Sequence, residues 1–175
     1  MPHKILWAPW RITYVEKATR IFECIFCSAI QNPNDEENYV VFRSKHSIAM
    51  LNLYPYNTAH TMVAPKRHVP VLELLNDEEL LDLFKTVNIV TKSIRDEYKP
   101  NGFNIGVNIG RAAGAGIESH VHIHIVPRWI GDVNFMPIIG DTKVIPESLQ
   151  RTYKRIKSAI QRVMCKKAEN YGDNI

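Results

Sequence analysis

Cysteine is scarce in this chain, with three among 175 residues. A small, odd number argues against the disulfide framework that secreted domains build from even sets. Long hydrophobic runs are missing too. Although 45% of the residues are hydrophobic, no segment approaches the roughly 18 apolar residues in a row that a membrane-spanning helix needs. The opening MPHKILWAPWR has neither an apolar stretch nor a small-residue cleavage site of the secretory kind, so a cytoplasmic, membrane-free protein is expected. Repeats and low-complexity tracts are absent as well. The positive excess is small, +4 with a pI near 9.0, and much of it falls on Arg151, Lys154, Arg155, Lys157, Arg162 and Lys166. That spacing predicts the wet face of a helix, not a nucleic-acid site.

What is present fits one domain, since domains typically run to about 100–200 residues. The opening LWAPWRITYV, with Trp7, Trp10 and Tyr14, is too aromatic for a loose tail and is expected to pack on the body or on a second subunit. YVVFR and SIAMLNL, joined by a turn at Ser44 to His46, predict paired strands. LYPYNTAH then reads as a loop and TMVAP as a short strand. Leu80, Leu83, Phe84, Val87, Val90 and Ile94 recur at helical spacing behind a capping box of Asn76 and Glu79, and the run Lys99-Pro100-Asn101-Gly102 stops that helix. FNIGVNI predicts a strand, GRAAGAG a flexible loop, HVHIHIVP a strand closed by Pro127, and residues 146–166 a helix opened by Pro146. Strands, helix, strands, helix, with hairpin-length joins, predict an α+β fold on an antiparallel sheet.

The segment HVHIHIVP places His120, His122 and His124 at a period of two. In a strand the three imidazoles share one face, with neighbours roughly 6.5–7 Å apart, while Val121, Ile123 and Ile125 face a core. Two chemistries suit such a row: a catalytic metal held by imidazoles, or nucleophilic attack by one imidazole that its neighbours orient. Just upstream, Gly110, Gly114 and Gly116 with Arg111 form a loop whose backbone N–H groups can converge on an anion. Together the loop and the row make a candidate phosphate site.

His120-Val-His122-Ile-His124-Ile-Val resembles the signature of the histidine triad superfamily of nucleotidyl hydrolases and transferases. The resemblance extends over SIAMLNLYPYNTAHTMVAPKRHV and NIGRAAGAGIESHVHIHIVPRW and covers residues 21 to 130. The flanks resemble the diadenosine tetraphosphate phosphorylase or hydrolase branch. It implies a histidine triad domain over 21–130, preceded by an aromatic arm over 1–20 and followed by a C-terminal extension over 131–175 whose helix packs on the same domain. It also implies a sheet of about five strands, a homodimer with the sheets joined, and cleavage of dinucleoside polyphosphates at the α-phosphate. In that mechanism His122 is the nucleophile, His124 contacts the same phosphate, and His60 orients the group. Asn52 falls at the ribose position, and Asn108 with the backbone of Ala115 and Gly116 faces the phosphates. The phosphorylase branch carries a Gly-Ser pair where this chain has Ala115-Gly116.

Cys24 and Cys27 form a CxxC, which in itself reads as a redox dithiol, half of a metal site, or a chance pair. The resemblance implies a structural zinc held by Cys24, Cys27, His68 and His120, with His46 as the alternative histidine. Cys165 is expected to be buried on the last helix. Two other readings stand beside this one. In the first, a zinc hydrolase binds its metal through His120, His122 and His124; in the second, a nucleotide-binding sensor or interaction protein turns over little substrate.

Overall fold

The computed structural model describes residues 24–132 and 144–172. The arm over 1–20 lies outside these residues, as does part of the C-terminal extension. Five strands form one antiparallel sheet: β1 (Val40–Arg43), β2 (Ser47–Leu51), β3 (Thr61–Pro65), β4 (Gly102–Val107) and β5 (Ile123–Arg128), in the order β1-β2-β3-β5-β4. Three α-helices accompany it: α1 (Ile25–Gln31), α2 (Asp77–Tyr98) and α3 (Leu149–Gly172). The expected α+β fold is therefore present.

The sheet is apolar on both faces, which is why β2 and β3 are buried along their whole length. One face carries Ala49, Leu51, Val63, Val121, Ile123 and Ile125 against Leu83, Val87, Val90 and Ile94 of α2 and Tyr153, Ile156 and Ile160 of α3. Truncating a fully buried member such as Ile125 to Ala costs about 2–5 kcal/mol. The opposite face is smaller and packs Ile48, Met50, Met62 and Ala64 against Phe26 and Ala29 of α1. Helix α1 thus covers the side of the sheet on which the histidines lie.

The ends of α2 follow the sequence closely. Asn76 and Glu79 exchange side-chain bonds with each other's backbone N–H, and Lys99 closes the helix in the left-handed region at φ 49°. Phe84 departs from the expected core stripe and is half exposed, because the buried positions follow Leu83, Val87, Val90 and Ile94. Helix α3 begins at Leu149, three residues after Pro146; the Ser148 hydroxyl accepts from the Arg151 N–H and caps it better than a proline can. Its basic residues are not all wet. Arg155 bridges Glu97 and Glu147, Lys157 reaches Asp35, and Arg162 reaches Glu97, tying α3 to α2 and to the loop after α1. Cys165 is exposed, contrary to the expected burial, since the buried stripe of α3 runs through Ile156, Ile160 and Val163.

Candidate functional site

The histidine row keeps its alternation but begins before the strand does. β5 starts at Ile123, because β3 pairs with it only from Thr61 to Val63. Upstream of that ladder a side chain does the pairing: His120 Nε2 lies 2.8 Å from the Pro65 carbonyl oxygen. Pro127, expected to close the strand, sits inside it opposite Phe103. At that point β3 no longer runs alongside, so the missing N–H leaves no ladder bond unmade.

Each imidazole has its tautomer set by a carbonyl or an N–H. His122 Nδ1 lies 2.9 Å from the His120 carbonyl oxygen, so Nδ1 carries the proton and Nε2 keeps its lone pair. The Tyr56 N–H donates to His60 Nδ1 at 3.0 Å, which makes His60 Nε2 a donor to His124 Nδ1 at 2.9 Å. His124 is left with Nε2–H as a donor. All three rings are neutral in this scheme, and burial enforces it. Burial, with the neighbouring imidazoles adding to it, pushes His60 and His124 down to about 4, and burial lowers His122 against the opposing bond to the His120 carbonyl. Phe26 of α1 packs against His120 and His122 with ring centroids 5.1 and 5.0 Å away, and Tyr56 packs against His60 and His124.

His60 is delivered by a strained turn. Ala59 holds φ 65° and is buried, a conformation costing roughly 1–2 kcal/mol for a residue with a Cβ. A larger side chain at that buried position would add a steric penalty.

On the other side of His120, four donors converge. Its Nδ1 lies 3.2 Å from Cys24 Sγ and 3.6 Å from Cys27 Sγ, and His68 Nδ1 lies 3.1 Å from Cys27 Sγ. The donor atoms of Cys24, Cys27, His68 and His120 all fall within 4.8 Å of one another, and these residues can hold a metal ion. Bonds of about 2.0–2.3 Å in a tetrahedron set ligand atoms roughly 3.3–3.8 Å apart, so the cage is already near the size such an ion requires. The donor chemistry agrees, because the Pro65 carbonyl accepts a hydrogen bond from His120 Nε2–H, which keeps the proton there and leaves Nδ1 bare toward the thiols. No other such cluster occurs among the described residues. The alternative ligand His46 is elsewhere, with Nε2 3.4 Å from Glu78. The three histidines of the row do not form a ligand set, since His120 turns to the cysteines, His122 to its own backbone and His124 to His60.

The residues expected around the phosphates lie on two loops. Asn52 follows β2; its N–H bonds the His60 carbonyl, and its Oδ1 accepts from the Tyr54 N–H at 2.8 Å. The β4–β5 register ends by pairing Val107 with Ile123, so Asn108 leaves the sheet at the end where His122 enters it. Gly110 and Gly114 take φ 77° and 82° on either side of a short 3-10 turn at Arg111–Ala113. Gly116 is exposed, whereas the Ala115 N–H points back to the Gly110 carbonyl at 3.4 Å and is only weakly committed there. Sequence reading missed Phe26, Tyr56, Pro65 and Arg43. The last donates to the carbonyls of Ala29, Ile30 and Asn32 and to Asp35, locking the end of α1 to the sheet. Only its place as the last residue of YVVFR marked it, which is no signal.

Fold and site first define a class, an α+β protein built around a strand of hydrogen-bonded histidines. Residues 34–129 match the HIT domain family, and the chain belongs to it. Among its relatives is the AP-4-A phosphorylase of Mycobacterium tuberculosis, 42% identical over 154 residues that cover 84% of this chain and 79% of that one. The asymmetrical bis(5'-nucleosyl)-tetraphosphatase of Schizosaccharomyces pombe is 42% identical over 93 residues, 53% of this chain and 50% of that one. A solved structure of a hypothetical histidine triad nucleotide-binding protein from Sulfolobus tokodaii superimposes with a TM-score of 0.65 at 32% identity, covering 80% of this chain and 93% of that one.

Proposed function

We propose that this protein cleaves dinucleoside polyphosphates at the α-phosphorus through a covalent nucleotidyl-His122. The observation that carries the reading is the bond from His122 Nδ1 to the His120 carbonyl, which leaves Nε2 as a neutral nucleophile. Nε2 forms a bond to the α-phosphorus as the bond from phosphorus to the bridging oxygen breaks, and the second nucleotide leaves with its remaining phosphates. Water or inorganic phosphate then attacks the same phosphorus, the N–P bond breaks, and His122 returns to its neutral form. His124 Nε2–H donates to the phosphoryl group, and His60 holds His124 in that tautomer. Asn52 binds the ribose, and Asn108 with the backbone of Ala115 and Gly116 faces the phosphates. The names of the relatives support the substrate class.

The metal of the Cys24, Cys27, His68 and His120 cage is zinc, in a structural role. Four protein donors close a tetrahedron and leave no position for substrate. When bound, zinc supplies rigidity beneath the carbonyl that orients His122. The protein works in the cytoplasm as a homodimer. β4 supports that assembly, being an edge strand among the described residues and presenting Ile105, which is 47% exposed. Among the described residues no helix is long and apolar enough to cross a membrane.

Incubation with diadenosine tetraphosphate, with and without inorganic phosphate, tests the reading. ADP plus ATP formed only with phosphate identifies a phosphorylase; AMP plus ATP without it identifies a hydrolase. No products in either condition would overturn the reading and favour a nucleotide sensor.

A further inference from the structure

A dinucleoside polyphosphate carries several negative charges along its phosphate chain, beyond the one phosphorus that His122 would attack. Something else near the row must balance them. The loop over residues 108–119 is the place to look, because both of its ends are fixed on the histidine side. Asn108 follows Val107, whose partner Ile123 directly follows His122, and Ile117 packs into the small core beneath α1 together with Phe26. Between these anchors, Gly110 and Gly114 turn the chain outward, and Arg111 stands exposed between them.

Three cations at the ends of β3 and β5 are committed. Lys66 bonds the carbonyls of Ser44 and Lys45, Arg67 pairs with Glu79, and Arg128 pairs with Asp132. Among the described residues Arg111 makes no ion pair or side-chain hydrogen bond, and Glu118, the acid of the same loop, does not pair with it. An exposed guanidinium with five donors, beside a phosphate site and without a carboxylate, suits an oxyanion more than any role in the fold.

We infer that Arg111 binds the phosphates of the leaving nucleotide, beyond the one attacked by His122, and so sets the preference for long polyphosphate chains. The inference rests on the nucleotidyl-transfer reading above. Two substrates with the same attacked phosphorus separate the parts: diadenosine tetraphosphate, and an aryl ester of AMP that has no further phosphates. In Arg111→Ala the ratio of kcat/KM for the tetraphosphate to that for the ester should fall roughly tenfold or more, as for a lost charge-assisted hydrogen bond. Arg111→Lys should recover part of it, and the salt dependence of tetraphosphate cleavage should flatten in Arg111→Ala. An unchanged ratio, whether both rates hold or both fall together, would overturn the assignment. A wild-type protein that cleaves neither substrate would instead sink the nucleotidyl-transfer reading.

Discussion

His122 Nδ1 and the carbonyl oxygen of His120 lie 2.9 Å apart, so the same residue that faces the cysteines through its ring orients the neighbouring imidazole through its backbone. Removing the His122 imidazole should therefore remove chemistry while leaving the cage intact. For His122→Ala we expect turnover to drop at least about a thousandfold with far less change in nucleotide affinity, read from steady-state rates and titration calorimetry. Turnover within a few fold of wild type would exclude the covalent mechanism.

Metal content discriminates the cage from a metal bound by the row. Elemental analysis should find zinc in the wild type and in His122→Ala but not in Cys24→Ser, whose melting temperature should also fall because a ligand that binds only the folded chain stabilises it. Zinc lost from His122→Ala and kept in Cys24→Ser would reverse the assignment.

The pair His60 and His124 makes stability depend on pH in a definite direction. Both are pushed down to about 4 in the folded protein, chiefly by burial, whereas the unfolded chain titrates near 6.5. Between these values the unfolded state binds more protons, so their contribution is complete above pH about 6.5 and is lost as pH falls toward 4. Urea unfolding midpoints measured from pH 7.5 to 4.5 should decline, and the decline should be shallower in the double variant His60→Gln, His124→Gln. Equal slopes would mean that the pair is not held neutral.

Arg43 offers a test of the support beneath the site. Its guanidinium holds the last carbonyls of α1, the helix that carries Cys27 and Phe26. Arg43→Met should destabilise the fold by about 2–3 kcal/mol, as for lost charge-assisted bonds, and weaken zinc retention in a chelator competition. A variant that loses stability but holds zinc as firmly as wild type would show that α1 needs no such anchor.

The period-two histidines, the capping box of Asn76 and Glu79, and the stop at Lys99 were legible because each is a local pattern whose physics acts within a few residues. What escaped sequence reading was set by tertiary contact. Pro127 lies inside β5 because β3 has already ended, and Phe84 is exposed because α2 is rotated to present Val87 and Val90. The donors gathered at His120 were suggested by resemblance, but the Pro65 carbonyl that frees its Nδ1 is 55 residues away and carries no mark in the sequence. Cys165 shows the converse, since its residue type suggested burial and its place on α3 denies it.

The cage also draws on widely separated parts of the chain, with Cys24 and Cys27 lying 96 and 93 residues from His120, and His68 lying 41 residues from Cys27. Its donors meet only after α1 has docked, the β2–β3 hairpin has closed and β5 has joined it. An ion held by these four residues would thus be a seal on completed assembly. A chain with a misplaced strand would not bring the two histidines to the two thiols, so an ion bound there would mark finished molecules before any substrate arrives.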